Sequence, residues 1–166
     1  MAPQDAARTR TYSWQDPLAS ARAGRVLPGL EFLRKIAAGE LAAPPIAHTL
    51  DYTLLEVEEG RAVFGLQPAE IHYNPIGMVH GGIPCTLLDS AMGCAVHSTL
   101  PAGAGYTTLE IKTNIVRAIS RDTGFLRAEG RLIHAGRSTA VAEGRLSDES
   151  GKLYAHATTT CLILRP

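Results

Sequence analysis

Between Ile83 and Val96 the chain carries one broad apolar helical stripe, Leu87, Leu88, Ala91, Met92, Ala95 and Val96, with Pro84 suited to its first turn. Alternating stretches surround it. Thr49 to Glu58 and Ala62 to Leu66 come before, joined by the tight turn Glu59-Gly60. Tyr106 to Arg117, with Leu109, Ile111 and Ile115 on one face, comes after, followed by Gly124 to His134, Ser138 to Ser147 and Leu153 to Leu164. Short turns at Ala135-Gly136-Arg137 and Asp148-Glu149-Ser150-Gly151 join these last three, so consecutive strands pair antiparallel. A lone helix that is apolar on most sides buries its surface only by lying across a curved sheet, which makes the chain α+β: a long central helix wrapped by a curved antiparallel sheet.

Ahead of this unit, Leu30, Leu33, Ile36 and Ala37 predict an extra N-terminal helix from Gly29, stopped by Gly39 and followed by the break Pro44-Pro45. Residues 1–28 hold no sustained period, contain Pro3, Pro17, Gly24 and Pro28, and read as an arm whose one candidate anchor is Trp14. The organisation expected is an arm over 1–28 and a single domain over 29–166. The arm has no apolar run of secretory-signal length.

Sixteen basic and sixteen acidic residues leave no net charge, so the balance points to neither nucleic acid nor an anionic membrane as partner and is compatible with self-association. Cys85, Cys94 and Cys161 are odd in number and none sits at metal-ligand spacing with a histidine, which favours a reducing, cytoplasmic setting and no metal. His48, His72, His97, His134 and His156 read as structural or surface groups.

The chemistry-bearing residues cluster around the start of the long helix. Asp89 lies within Thr86-Leu87-Leu88-Asp89-Ser90-Ala91-Met92, where the polar face is small; it belongs either to the solvent edge or to a site as base or nucleophile. Gly93, without side-chain bulk, would let a ligand or a second protomer approach. His80-Gly81-Gly82 is either an ordinary glycine entry into a helix or a pair of backbone N–H donors for a developing oxyanion, worth about 3 kcal/mol per donor. Asn74 is held extended by Pro75, which keeps its side-chain amide from easily folding back as a local cap, and is either a turn residue or a group that positions water or a carbonyl. Thr107 and Thr108 point to opposite faces of their strand, so only one reaches a shared site. Arg117 and Arg137 stand where a phosphate could be gripped, with solvated cations as the ordinary alternative.

Taken together, Asn74-Pro-x-Gly-x-x-His80-Gly81-Gly82, Asp89, the run Gly105-Tyr106-Thr107-Thr108-Leu109-Glu110-Ile111 and His134-Ala-Gly136-Arg137-Ser138 resemble the hotdog-fold acyl-CoA thioesterases of the phenylacetyl-CoA (PaaI-like) type, over roughly residues 29 to 164. Ala118 departs from the proline common after Arg117. The resemblance implies hydrolysis of an aryl-acyl or short- to medium-chain acyl-CoA, with coenzyme A part of the substrate and no cofactor. It implies Asp89 as nucleophile or general base, the Gly81 amide as oxyanion donor, and Asn74, Thr108 and His80 beside them. Gly82, Thr107, Met92, Arg117, Gly136, Arg137 and Ser138 then serve substrate binding. It further implies sites shared within a homodimer, with Asn74 and Gly81 from one protomer and Asp89 and Thr108 from the other, and pairing of dimers into a homotetramer. Two other readings remain: an acyl-CoA-binding module without catalysis, and a hydratase, for which the histidine and acidic pair near the helix start is not evident.

Overall fold

The computed structural model describes residues 8–165; the first seven residues of the expected arm lie outside the described residues. Among the described residues four α-helices and six strands follow one another as α1 (Pro17–Val26), α2 (Gly29–Ala37), α3 (Pro45–Leu50), β1 (Tyr52–Glu58), β2 (Arg61–Leu66), α4 (Gly82–His97), β3 (Gly105–Ile115), β4 (Leu126–Ala135), β5 (Thr139–Asp148) and β6 (Leu153–Leu164).

The six strands form one antiparallel sheet in the order β1-β2-β4-β5-β6-β3, and α4 lies across its inner face. Leu87, Leu88, Ala91, Met92 and Val96 of the helix are fully buried against Ala62, Leu126, Ala128, Ala140, Ala142 and Ala155 of the strands. Two glycines let the helix sit this close. Gly130 of β4 and Gly144 of β5 are register partners; a Cβ on Gly130 would stand 2.3 Å from the Ala91 carbonyl, and one on Gly144 3.0 Å from Leu88 and Met92 side-chain atoms. This is the hotdog arrangement.

Three elements depart from the sequence expectation. The arm contains a helix, α1, because Asp16 caps it by accepting from the Leu18 N–H and Pro17 pre-sets its first turn. Thr49 and Leu50 belong to the short helix α3 rather than to the first strand. Pro45 supplies a helix-compatible first turn and the chain leaves it at Asp51 in the left-handed region (φ 59°), so β1 begins only at Tyr52. In β3 a bulge between Thr108 and Glu110 reverses which face the side chains meet, leaving Leu109 57% exposed while Ile111 packs on the core.

Candidate active site

The loop that feeds α4 is closed by its own side chains. Asn74 Oδ1 accepts from the N–H groups of Ile76 (3.0 Å) and Met78 (3.2 Å), and the Asn74 N–H donates to the Met78 carbonyl (2.7 Å). Pro75 was expected to keep this side chain from folding back. Extended backbone before a proline instead aims Oδ1 at the N–H groups two and four residues ahead, as in other Asx turns, so only the Asn74 amide nitrogen is left for a ligand. Nearby, buried His72 accepts at Nδ1 from the Ala69 N–H and donates from Nε2 to the Leu50 carbonyl, a structural role.

His80 is exposed, and its Nδ1 accepts from the Gly82 N–H at 2.9 Å. That bond removes Gly82 from the expected pair of oxyanion donors. The Gly81 N–H has no hydrogen-bond partner among the described residues. Gly81 has an ordinary φ of −59°, and what its missing side chain relieves is space: a Cβ would stand 3.2 Å from Cδ1 of Ile115 at the end of β3.

Eight residues further along α4, Asp89 is half-buried, and its Oδ1 accepts from the Thr108 hydroxyl at 2.9 Å. Thr108 is thereby the threonine on the inner face, and Thr107 is exposed on the outer one. Next to Asp89, Ser90 and Tyr52 share a hydrogen bond between hydroxyls (3.1 Å). Asp89, Ser90 and Tyr52 border a cavity of about 650 Å3 that runs between α4 and the N-terminal helices, past Cys94, His97, Tyr106, Phe32 and Leu33.

Two residues expected at the site lie elsewhere. Met92 does not line this cavity: it is fully buried under Gly144, because at about 100° per residue it projects some 60° to one side of Asp89 while Ser90, Cys94 and His97 project to the other. The space left by Gly93 is taken by the Tyr106 ring, whose hydroxyl would be 2.4 Å from a Cβ there. The arginines are far apart in one chain. Arg117 follows the end of β3 and donates to the Leu153 carbonyl, whereas the Gly136-Arg137-Ser138 turn joins β4 to β5 near the start of β3, with the Arg137 carbonyl accepting from Arg165 and the Ser138 carbonyl from the Ile163 N–H.

Burial, reinforced by the charge of Asp89, pushes the Cys94 thiol up to about 12 and the Tyr106 phenol well above its ordinary value, and burial raises Tyr52 as well. All three stay protonated near neutrality, so Cys94 is no nucleophile. Burial also holds His97 below the ordinary imidazole value, keeping its ring neutral. Among the described residues no cluster of His, Cys, Asp or Glu is arranged to hold a metal ion.

Sequence reasoning missed Ser90, Tyr52, Cys94, His97 and Tyr106. The helical members were within reach, since Ser90, Cys94 and His97 share one side of α4; Tyr52 and Tyr106 come from distant strands and carry no local signal.

The thioesterase superfamily model matches residues 76–155. The chain is 32% identical to a phenylacetic acid degradation-related protein of Ralstonia eutropha assigned as a thioesterase, whose structure superposes with a TM-score of 0.70 over 78% of this chain and 98% of that one. The chain belongs to the thioesterase superfamily. A conserved protein of Pseudomonas aeruginosa is 30% identical, with a TM-score of 0.69 over 74% of this chain and 95% of that structure. A 1,4-dihydroxy-2-naphthoyl-CoA hydrolase of Listeria monocytogenes is 29% identical over 118 residues, covering 71% of this chain and 94% of that relative. As a member of the superfamily the protein is a thioester hydrolase. Among the described residues no helix is long and apolar enough to cross a membrane.

Proposed function

We propose that the protein hydrolyses an aryl-acyl or short- to medium-chain acyl-CoA at sites shared between two copies of the chain. The observation that carries this reading is the separation of the two reactive groups. The free Gly81 N–H and the Asp89 carboxylate stand eight residues apart on one rigid helix, about 12 Å along its axis, too far for one carbonyl to touch both.

A second copy closes that gap. β3 is an edge strand of eleven residues, and edges of this length are ordinarily covered. Antiparallel pairing of two β3 strands about a two-fold axis at Lys112, with Leu109 as the extra residue of the bulge, sets Thr108 opposite Ile115 of the partner subunit. Thr108 holds Asp89 and Ile115 adjoins Gly81, so the carboxylate of one protomer meets the free amide of the other. The same operation brings Arg137 towards Arg117 of the partner subunit, where the phosphates of coenzyme A would be gripped. Dimers of this kind pair again into a tetramer in this reading, and the three free cysteines suit the cytoplasm.

In the reaction, the thioester carbonyl rests on the Gly81 N–H at the helix N-terminus, and the fixed donor and helix dipole stabilise the oxyanion. Thr108 occupies Oδ1 of Asp89, leaving Oδ2 to take the proton of an attacking water or to attack the carbonyl itself. In the first case the C–S bond breaks as the thiolate takes up that proton; in the second it breaks to leave a mixed anhydride on Asp89, which water then hydrolyses, giving its proton to the thiolate, and either way free acid and coenzyme A leave. No metal or cofactor takes part.

Mixed dimers test this directly. Asp89→Asn and Gly81→Pro each remove one half of the site, the second by deleting the N–H at a φ that proline tolerates. Each variant alone is expected to release thiol from acyl-CoA about a hundredfold more slowly or worse, and mixed, refolded or co-expressed chains should regain activity in the dimers that hold one intact site. Two inactive variants that fail to complement, or full activity in either, would overturn the shared site.

A further inference from the structure

The cavity beside Asp89 has a wall that the superfamily match, beginning at residue 76, does not account for. Pro17, Ser20 and Ala21 of α1 line it, opposite Leu54 and Phe64 of the sheet. These α1 positions lie on one side of the helix and are small. Gly24, on the same side, continues them, and a Cβ there would stand 3.2 Å from the Phe32 ring. A second hollow of about 370 Å3 adjoins, bordered by Ala21, Gly24, Phe32 and His97, so α1 spans both.

We infer that α1 is the outer wall of the acyl pocket and that its small inward residues set how long an acyl group the enzyme accepts, making an elongated apolar acyl chain the favoured substrate class. This rests on the reading of Asp89 as the catalytic group. From Asp89 to His97 the cavity follows α4 for about 12 Å, and its walls, Phe32, Leu33, Ile36, Ala43 and Leu54, are apolar. A short acyl group fills only the part beside Asp89 and never reaches α1; a longer one must pass Ala21.

The attachment of α1 suits a wall that yields little free energy of its own to the fold. None of its ten residues is buried, and among the described residues its side-chain hydrogen bond to the body of the chain is Ser20 Oγ to the Ala42 carbonyl (3.2 Å). The segment before it is held more firmly: Arg10 donates to the carbonyls of His48 (2.7 Å) and Thr49 (2.8 Å) at the end of α3. Substitutions on the inner side of α1 therefore change the cavity with little effect on the core.

Thiol release from propanoyl-CoA and decanoyl-CoA by full-length Ala21→Val and Ala21→Phe tests the inference, with thermal unfolding as the check on folding. The ratio of kcat/KM for decanoyl-CoA over propanoyl-CoA is expected to fall by about tenfold in Ala21→Phe and by less in Ala21→Val. An unchanged ratio in both folded variants, or equal losses on both substrates, would overturn the inference while leaving the Asp89 site intact. Wild-type protein that releases thiol from neither substrate would also overturn the inference, and a further lack of release from an aryl-acyl-CoA would overturn the reading of the Asp89 site with it.

Discussion

The start and the middle of α4 handle polar side chains in opposite ways. Ahead of the helix the side-chain bonds around the free donor are local: Asn74 takes the N–H groups of Ile76 and Met78, His80 takes that of Gly82, and Gly81 is left with the free donor. At mid-helix the side-chain bonds around Asp89 are distant, Thr108 reaching Asp89 across 19 residues and Tyr52 reaching Ser90 across 38. A backbone donor can be made rigid by its own turn. A carboxylate on a helix is oriented only by what packs against it, and so the first region is shaped by sequence neighbours and the second by the sheet.

The contrast breaks most visibly at Asp89. Asp89→Asn keeps the shape and the Thr108 neighbour but removes the base, and kcat for acyl-CoA hydrolysis is expected to fall about a thousandfold or more with KM little changed. Steady-state thiol release on the folded variant measures this, and near-wild-type turnover would remove Asp89 from the chemistry. A smaller effect sharpens the claim that distant packing orients the carboxylate. Thr108→Val deletes the hydroxyl donor and should lower kcat by about tenfold, the scale of one hydrogen bond to a charged group, whereas Thr107→Val on the outer face should leave kcat unchanged.

The smallest effect concerns the loop ahead of α4. Burial lowers the His72 pKa, and its neutral ring accepts at Nδ1 and donates at Nε2. Below the unfolded-state value of about 6.5 the unfolded chain binds the extra proton and the native ring resists it. Stability is then present above that pH and lost as pH falls below it. Tm should drop by a few degrees between pH 7.5 and pH 5.5, with His97 adding in the same direction. His72→Gln, compared by thermal denaturation at the two pH values, is expected to flatten part of that slope; an unaltered slope would exclude His72.

Periodicity and turn residues placed most elements to within a few residues, because a 3.6-residue stripe and a two-residue alternation are written along the chain. They failed at Thr49 and Leu50, where a proline-initiated turn of helix overrode the alternation, and at Leu109, where a bulge reversed the faces. The candidate site was legible where a motif names its own backbone, as at Gly81, and less so where direction matters: Met92 and Gly93 lie a turn from Asp89, yet one packs into the core and the other against Tyr106.

What the chain determined alone is the class of fold and the residue types available for chemistry, since a single apolar helix among alternating strands has one way to bury itself. What only the tertiary structure decided is which of those groups are free. Gly82 lost its donor to His80, Asn74 lost its oxygen to its own turn, Thr108 rather than Thr107 met Asp89, and a helix from the arm closed the cavity. The reason is physical: a hydrogen bond formed anywhere consumes a donor and an acceptor, and which partner claims each is settled by distances that sequence spacing does not contain.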